Sequence, residues 1–241
     1  MAISLSIVMF AYNEHENIVP VVTEVIEALE ARLGDGLTDY QLVLVDDGSK
    51  DGTHRLIEEL AASNPRITPM SHGTNRGIGA AVKTGFAATR LDYVSILPAD
   101  GQVAVDELYK LQPSVEAGAD MAVGYYTQRG QVDGAVRWVL SKGLRQLMRL
   151  ALGTRRPMDG VYMFRRALLR ELPLKSETFF VNLELPVRAI RAGLDVRSVP
   201  VEVRPRRAGE SKVLGLGRMT RVGREVLKFR ANLLREQLGG E

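Results

Sequence analysis

Three short polar clusters carry the side chains best suited to chemistry: Ala11-Tyr12-Asn13-Glu14, Asp46-Asp47-Gly48-Ser49 and Pro98-Ala99-Asp100-Gly101-Gln102. Carboxylates such as Asp46 and Asp47 accept hydrogen bonds from a nucleobase N–H or from ribose hydroxyls. Asp-Gly-Ser serves equally well as an Asx turn with a helix cap, so spacing alone leaves a nucleotide site and a structural turn evenly matched. Arg137 and Ser141 stand four residues apart, which puts them on one face of a helix. An Arg fork donates two parallel hydrogen bonds to a phosphate, although a solvated basic helix face has the same composition. His15, His54 and His72 show no metal-ligand spacing and read as surface or turn residues. The chain has no cysteine, which excludes disulfides, thiolate catalysis and zinc–thiolate sites.

The elements that must position these clusters are legible from periodicity. Strands are predicted at 3–10, 41–45, 67–70, 93–97 and 121–125, alternating with helices at 17–33, 53–62, 79–89 and 105–117. Asp51 is placed as the N-cap of the second helix. The alternation predicts an α/β fold, with a mostly parallel, doubly wound central sheet flanked by helices. Such sheets bind ligands beyond the carboxyl ends of their strands, and all three clusters fall there. Further on, a basic amphipathic helix is predicted at 136–152, strands at 161–164 and 196–203, and helices at 166–171 and 180–192. A last helix, at 216–238, alternates basic residues such as Arg224, Lys228 and Arg230 with Val222, Val226 and Phe229. No internal repeat or low-complexity linker divides the chain, so one domain with a C-terminal extension is expected.

The net charge of +3 hides a split. Residues 1–128 carry 8 Lys/Arg against 18 Asp/Glu, a net of −10, and residues 129–241 carry 24 against 11, a net of +13. A basic half points to an anionic partner, either nucleic acid or an anionic lipid surface, or is simply a well-solvated basic surface. Its basic residues are not interleaved with the aromatic platforms that stack single-stranded bases, so nucleic acid is not expected. No window holds the roughly 18 apolar residues of a transmembrane helix. The start, MAISLSIVMF, lacks the basic region of a secretory signal. A cytoplasmic protein, peripheral at the membrane, is therefore expected. The 216–238 helix can lie in the plane of an anionic membrane, or equally pack on the core or form a homo-oligomer contact.

Three segments carry a family resemblance. They are Ser6-Ile7-Val8-Met9-Phe10-Ala11-Tyr12-Asn13-Glu14, Val45-Asp46-Asp47-Gly48-Ser49-Lys50-Asp51-Gly52-Thr53 and Asn75-Arg76-Gly77-Ile78-Gly79-Ala80-Ala81. Together they resemble family 2 glycosyltransferases. Arg206-Arg207-Ala208-Gly209-Glu210-Ser211-Lys212 resembles the Arg-x-x-Gly-x-Ser-Lys element of the dolichol- and polyprenyl-phosphate sugar synthases in that family.

The resemblance implies a GT-A nucleotide-sugar fold over residues 1–213. Residues 1–128 would bind the nucleotide sugar and 129–213 would form the acceptor side, with a basic amphipathic extension at 214–241. It implies that Ala11, Tyr12, Glu14, Asp46, Asp47, Gly77, Gln102 and Ser211 bind the donor. Asp100 matches the second Asp of the family's Asp-x-Asp motif and Gln102 the Gln that follows, which implies a Mg2+ or Mn2+ site. Position 98 is Pro where many relatives carry the first Asp, so that site lacks one charge. Magnesium accepts a shell of one carboxylate, one amide oxygen and diphosphate oxygens. Arg137 and Ser141 match the Arg-x-x-x-Ser element assigned to acceptor phosphate, and Arg129 is a further candidate. Arg206 and Lys212 would close over the diphosphate. Glu184 matches an acidic position near the acceptor that can act as a general base. A phosphate acceptor, with a second pKa of about 6, needs none, and a salt bridge to a helical Arg is the alternative for Glu184.

The implied reaction is inverting transfer of a hexose from a GDP- or UDP-linked sugar to a polyprenyl or dolichyl phosphate. The alternatives are transfer to a soluble or cell-envelope hydroxyl and, because of Pro98, a non-catalytic nucleotide-sugar binder. A nucleotidyltransferase would carry a Gly-rich, Arg-containing loop after the first strand, and Phe10-Ala11-Tyr12-Asn13-Glu14 is not one.

Overall fold

The apolar run at the start of the chain forms β1 (Ile3–Ala11), which is buried along most of its length. It pairs in parallel with β2 (Leu37–Asp46) on one side and β4 (Tyr93–Pro98) on the other. A strand covered on both faces reads as a continuous apolar run. Successive side chains still point to opposite faces. Ile7 and Met9 enter one core with Ile18, Val21 and Val22 of α1 (His15–Glu30), whereas Val8 enters a second core with Ala81, Val82 and Phe86 of α3 (Ile78–Ala87). Between them lie α2 (Thr53–Ser63) and β3 (Ile67–Ser71).

The computed structural model describes residues 2–127, 158, 160–204 and 222–232. Its seven-stranded sheet has the order β3-β2-β1-β4-β6-β5-β7, with β5 at Met121–Tyr126, β6 at Tyr162–Arg165 and β7 at Val196–Val201. This is the predicted α/β architecture, a central sheet with helices on both faces. Strand β6 departs from the parallel pattern: it runs antiparallel to both β4 and β5.

The predicted helix at 105–117 is two short helices, α4 (Asp106–Tyr109) and α5 (Gln112–Glu116). Pro113 lies at the start of α5; with no N–H and a bulky ring it can open a helix but not continue one. Gly52, at φ 90°, rather than Asp51, is the N-cap of α2. Helix α6 covers Leu168–Glu171 and α7 covers Val181–Arg191. Of the predicted 216–238 helix, residues 222–232 are described and are helical (α8). Its apolar stripe of Val222, Val226 and Phe229 is buried in the second core, with the Phe229 ring edge-on to Phe180 at 5.2 Å. The predicted helix at 136–152 lies outside the described residues. Among the described residues no helix is long and apolar enough to cross a membrane.

Candidate active site

Strand register brings the three clusters to one level. Ala11 pairs with Asp46, and Phe10 pairs with Pro98. The loops after β1, β2 and β4 therefore leave one rim of the sheet side by side. Asp46, Asp47 and Asp100 are 2%, 4% and 9% exposed. Three carboxylates gathered at one rim and turned away from bulk water each need an assigned partner.

The first two loops are stitched together. Asn13, in the left-handed region at φ 53°, donates its N–H to Ser49 Oγ at 2.8 Å and accepts the Lys50 N–H at Oδ1, also at 2.8 Å. Glu14 N–H donates to Thr53 Oγ1 and His15 N–H to Asp51 Oδ2. Asp51 also accepts the N–H and hydroxyl of Thr53, at 3.1 and 2.6 Å. Burial alone would raise the Asp51 pKa; the hydrogen bonds from Thr53 and His15 outweigh it and hold the carboxyl below its ordinary value. Glu14 itself accepts from Asn17 Nδ2 at 2.7 Å.

Asp47 fastens a third loop. Its Oδ1 accepts the Arg76 N–H at 2.9 Å, its Oδ2 accepts the Gly77 N–H at 2.8 Å, and His72 Nδ1 lies 2.8 Å from Oδ1. His72 Nε2 is 2.9 Å from Thr84 Oγ1 on α3. His72 is 6% exposed, so it is a buried bracket between Asp47 and α3 and not the surface or turn residue expected from spacing. At Gly48 the backbone has φ 73°, and a Cβ there would stand 2.4 Å from the Thr74 carbonyl carbon and 2.5 Å from Asn75 N. Only glycine admits that approach. The Asp47 oxygens hold the Asn75–Gly79 turn in place.

Asp46 is engaged more lightly. It accepts the Ser49 N–H at 3.1 Å, with Ser71 Oγ at 3.4 Å. His54 Nδ1 lies 3.9 Å from its Oδ2 and, though buried, has no hydrogen-bond partner. The His54 side chain is 45% exposed, as expected of a surface residue, and its first-turn position on α2 brings it to the motif carboxylate. Ala11 is 3% exposed and its carbonyl accepts the Asp47 N–H. Tyr12, Glu14, Gly77 and Gln102 are half-buried along the same rim.

Asp100 follows β4 in a tight turn where its Oδ1 accepts the Gln102 N–H at 3.0 Å. Arg204 pins this turn: its N–H donates to the Gln102 carbonyl at 2.9 Å and its Nε to the Gly101 carbonyl at 2.7 Å, while its guanidinium pairs with Glu24. Arg204 precedes the Arg206–Lys212 segment and falls outside its Arg-x-x-Gly-x-Ser-Lys pattern, so spacing does not single it out. Among the described residues no group of three or more His, Cys, Asp or Glu side chains could hold a metal ion. Asp100 and Gln102 offer hard oxygens at the rim. They fit an ion whose shell is completed by diphosphate oxygens, as Mg2+ commonly is.

Glu184 lies on α7. It is 0% exposed and accepts the N–H groups of Lys175 and Ser176 at 3.0 and 2.7 Å. Arg188 Nε bonds it at 2.9 Å from the next turn of α7. A general base needs a reachable lone pair, and this carboxylate is sealed in, so the helical salt bridge is what the structure contains. Arg129, Arg137, Ser141, Arg206, Ser211 and Lys212 lie outside the described residues.

Comparison with known proteins agrees with this geometry. Residues 6–173 match the family described as Glycosyl transferase family 2. The chain is 34% identical over 221 residues to polyprenol monophosphomannose synthase of Mycolicibacterium smegmatis, covering 87% of this chain and 80% of that protein. It is 28% identical to a dolichol-phosphate mannosyltransferase of Pyrococcus furiosus, over 88% of this chain and 59% of that one. In structure it is similar to glucosyl-3-phosphoglycerate synthase from Mycobacterium tuberculosis in complex with Mn2+, UDP and glucosyl-3-phosphoglycerate. The TM-score is 0.68 at 25% identity, over 95% of this chain and 80% of that one. With its GT-A architecture, its rim of carboxylates and a family match over most of its length, the chain belongs to glycosyl transferase family 2 and is a glycosyltransferase.

Proposed function

We propose that this enzyme transfers a hexose, with inversion, from a GDP- or UDP-linked donor to a polyprenyl or dolichyl phosphate. The observation that carries the donor half is the alignment of Asp46, the Asp47-held turn and Asp100 on one rim. Asp46, less encumbered than Asp47, accepts from the nucleoside. Tyr12, Glu14 and Gly77 complete the nucleoside pocket. Asp100 and Gln102 hold a Mg2+ or Mn2+ ion through oxygen atoms; when bound, such an ion neutralises charge on the diphosphate leaving group. Support for the ion comes from the relative of known structure crystallised with Mn2+ and UDP.

Arg206, Ser211 and Lys212 are assigned to binding the same diphosphate. Arg204 supports this assignment, since it is fixed to the Asp100 turn only two residues before Arg206. Arg129, Arg137 and Ser141 hold the acceptor phosphate. Its oxyanion attacks the anomeric carbon, a new C–O bond forms, and the bond to the nucleoside diphosphate breaks on the opposite face with its electron pair leaving on the diphosphate. Positive charge aimed at that oxygen and in-line positioning carry the catalysis. No general base is required, in keeping with the sealed Glu184.

The polyprenol- and dolichol-phosphate relatives favour a lipid phosphate over a soluble acceptor. The glucosyl-3-phosphoglycerate complex favours a soluble one. In both cases the acceptor is anionic, which fits the basic half of the chain. Residues 1–128 form the donor half and 129–213 the acceptor half, and the enzyme works peripherally at the cytoplasmic face of a membrane. The donor assignment is tested by thermal shift with UDP, GDP and their hexose conjugates, with and without Mn2+ or Mg2+. A ligand that binds only the folded state raises Tm, so one nucleotide series is expected to raise it with the ion present. No shift from any of them would contradict the donor site.

A further inference from the structure

Helix α8 reaches the segment packed behind the Asn75–Gly79 turn through one carboxylate. Glu225 Oε1 accepts the Glu177 N–H at 3.1 Å, and Oε2 accepts the Thr178 N–H at 3.3 Å and its hydroxyl at 2.5 Å. The two preceding residues are fixed from α7, because Glu184 takes the N–H groups of Lys175 and Ser176. The segment 175–178 is thus strung between two acidic side chains by charge-assisted bonds, the stronger class of hydrogen bond.

That segment is a wall of the donor rim. A Cβ on Gly79 would stand 2.3 Å from the Glu177 carbonyl carbon and 2.5 Å from its Cα, and one on Gly77 would stand 3.6 Å from its carbonyl oxygen. The backbone of residue 177 therefore lies directly on the first turn of α3. Gly77 is also the residue whose N–H is held by Asp47. An unbroken series of contacts runs from Glu225 through Glu177 and Thr178 to Gly79 and Gly77, then to Asp47 and His72. None of it depends on a bound donor.

We propose that Glu225 is a positioning residue for the nucleotide turn, so that docking of the C-terminal helix sets the shape of the Asn75–Gly79 loop and with it the affinity for the donor's nucleoside diphosphate. The link to affinity rests on the donor reading above. The physical basis is close packing: backbone held against backbone cannot yield on one side without releasing the other. Removing the Glu225 carboxylate frees two N–H groups and a hydroxyl, lets residues 177–178 withdraw, and leaves α3 unsupported where Gly77 meets Asp47.

The test is amide hydrogen exchange by mass spectrometry on the full chain, wild type, Glu225→Gln and Glu225→Ala, with Asp35→Ala, exposed ahead of β2 at the opposite end of the sheet, as a surface control. Amides of residues 76–77 and of 177–178 are expected to exchange about tenfold faster in Glu225→Ala. Glu225→Gln, which keeps one acceptor oxygen, is expected to fall between, with β1 and β2 unchanged. Faster exchange at 177–178 with residues 76–77 unchanged would overturn the coupling, and Glu225→Gln decides the matter if the Ala variant does not fold. Calorimetry with UDP and GDP on the same proteins is expected to show Kd raised in the same order. A wild type that binds neither nucleotide would contradict the donor reading, while the exchange result would still decide the coupling.

Discussion

Asp46 and Asp47 are adjacent carboxylates with different loads. Asp47 takes two loop N–H groups and an imidazole, whereas Asp46 takes one N–H at 3.1 Å and a distant hydroxyl. Asp47→Ala leaves buried donors without partners, each costing about 1–3 kcal/mol. Urea unfolding is expected to show a loss of about 3 kcal/mol or more, and Asp47→Asn does little better because its NH2 faces an N–H. His72→Ala removes one such bond from each side and is expected to cost about 2 kcal/mol by the same measurement. Asp100→Asn changes charge with little change in shape. Donor turnover in Mg2+ or Mn2+ is expected to drop about 100-fold, and unchanged turnover would remove Asp100 from the metal site. The motif told which residues gather at the rim, but not how they divide the work. Asp47 and His72 are 25 residues apart, and nothing local in the sequence says that one brackets the other.

The joined loops after β1 and β2 act as one element. Asp51 links them by accepting from His15 and Thr53, and its pKa is lowered in the folded state. A carboxylate with a depressed folded pKa binds fewer protons folded than unfolded, so its stabilisation is present above the unfolded value and is lost as pH falls through the folded one. Stability of the wild type is expected to decline below about pH 4 more steeply than that of Asp51→Asn, measured by urea midpoint against pH. On α7, removing one partner of the sealed Glu184–Arg188 pair is expected to cost about 3–5 kcal/mol, read as a fall in Tm for Glu184→Ala. The strands and helices up to β5, apart from the helix expected at 105–117, were legible because periodic runs alternate there with turn residues. Strand β6, only Tyr162–Arg165, has no pattern that distinguishes parallel from antiparallel. The split at Pro113 was signalled by the proline itself. Helix α8 showed its two faces, but the identity of what covers the apolar one, Phe180 among others, is a long-range fact.

At the scale of the whole molecule, an acidic half carries the carboxylate rim and a basic half follows it, with net charges of −10 and +13. The sheet binds the halves together, since β6 from the second half pairs between β4 and β5 of the first. An anionic acceptor fits that division. Binding to vesicles containing anionic lipid is expected to weaken as salt rises to about 0.5 M, where surface charges are screened. The most direct test supplies radiolabelled GDP- and UDP-hexoses with Mg2+ or Mn2+, in the presence of a short polyprenyl phosphate, and follows label into the organic phase. Transfer from one nucleotide series into the lipid fraction is the predicted result. Donor turnover that leaves the lipid unlabelled and labels 3-phosphoglycerate or a hydroxyl acceptor instead would contradict it.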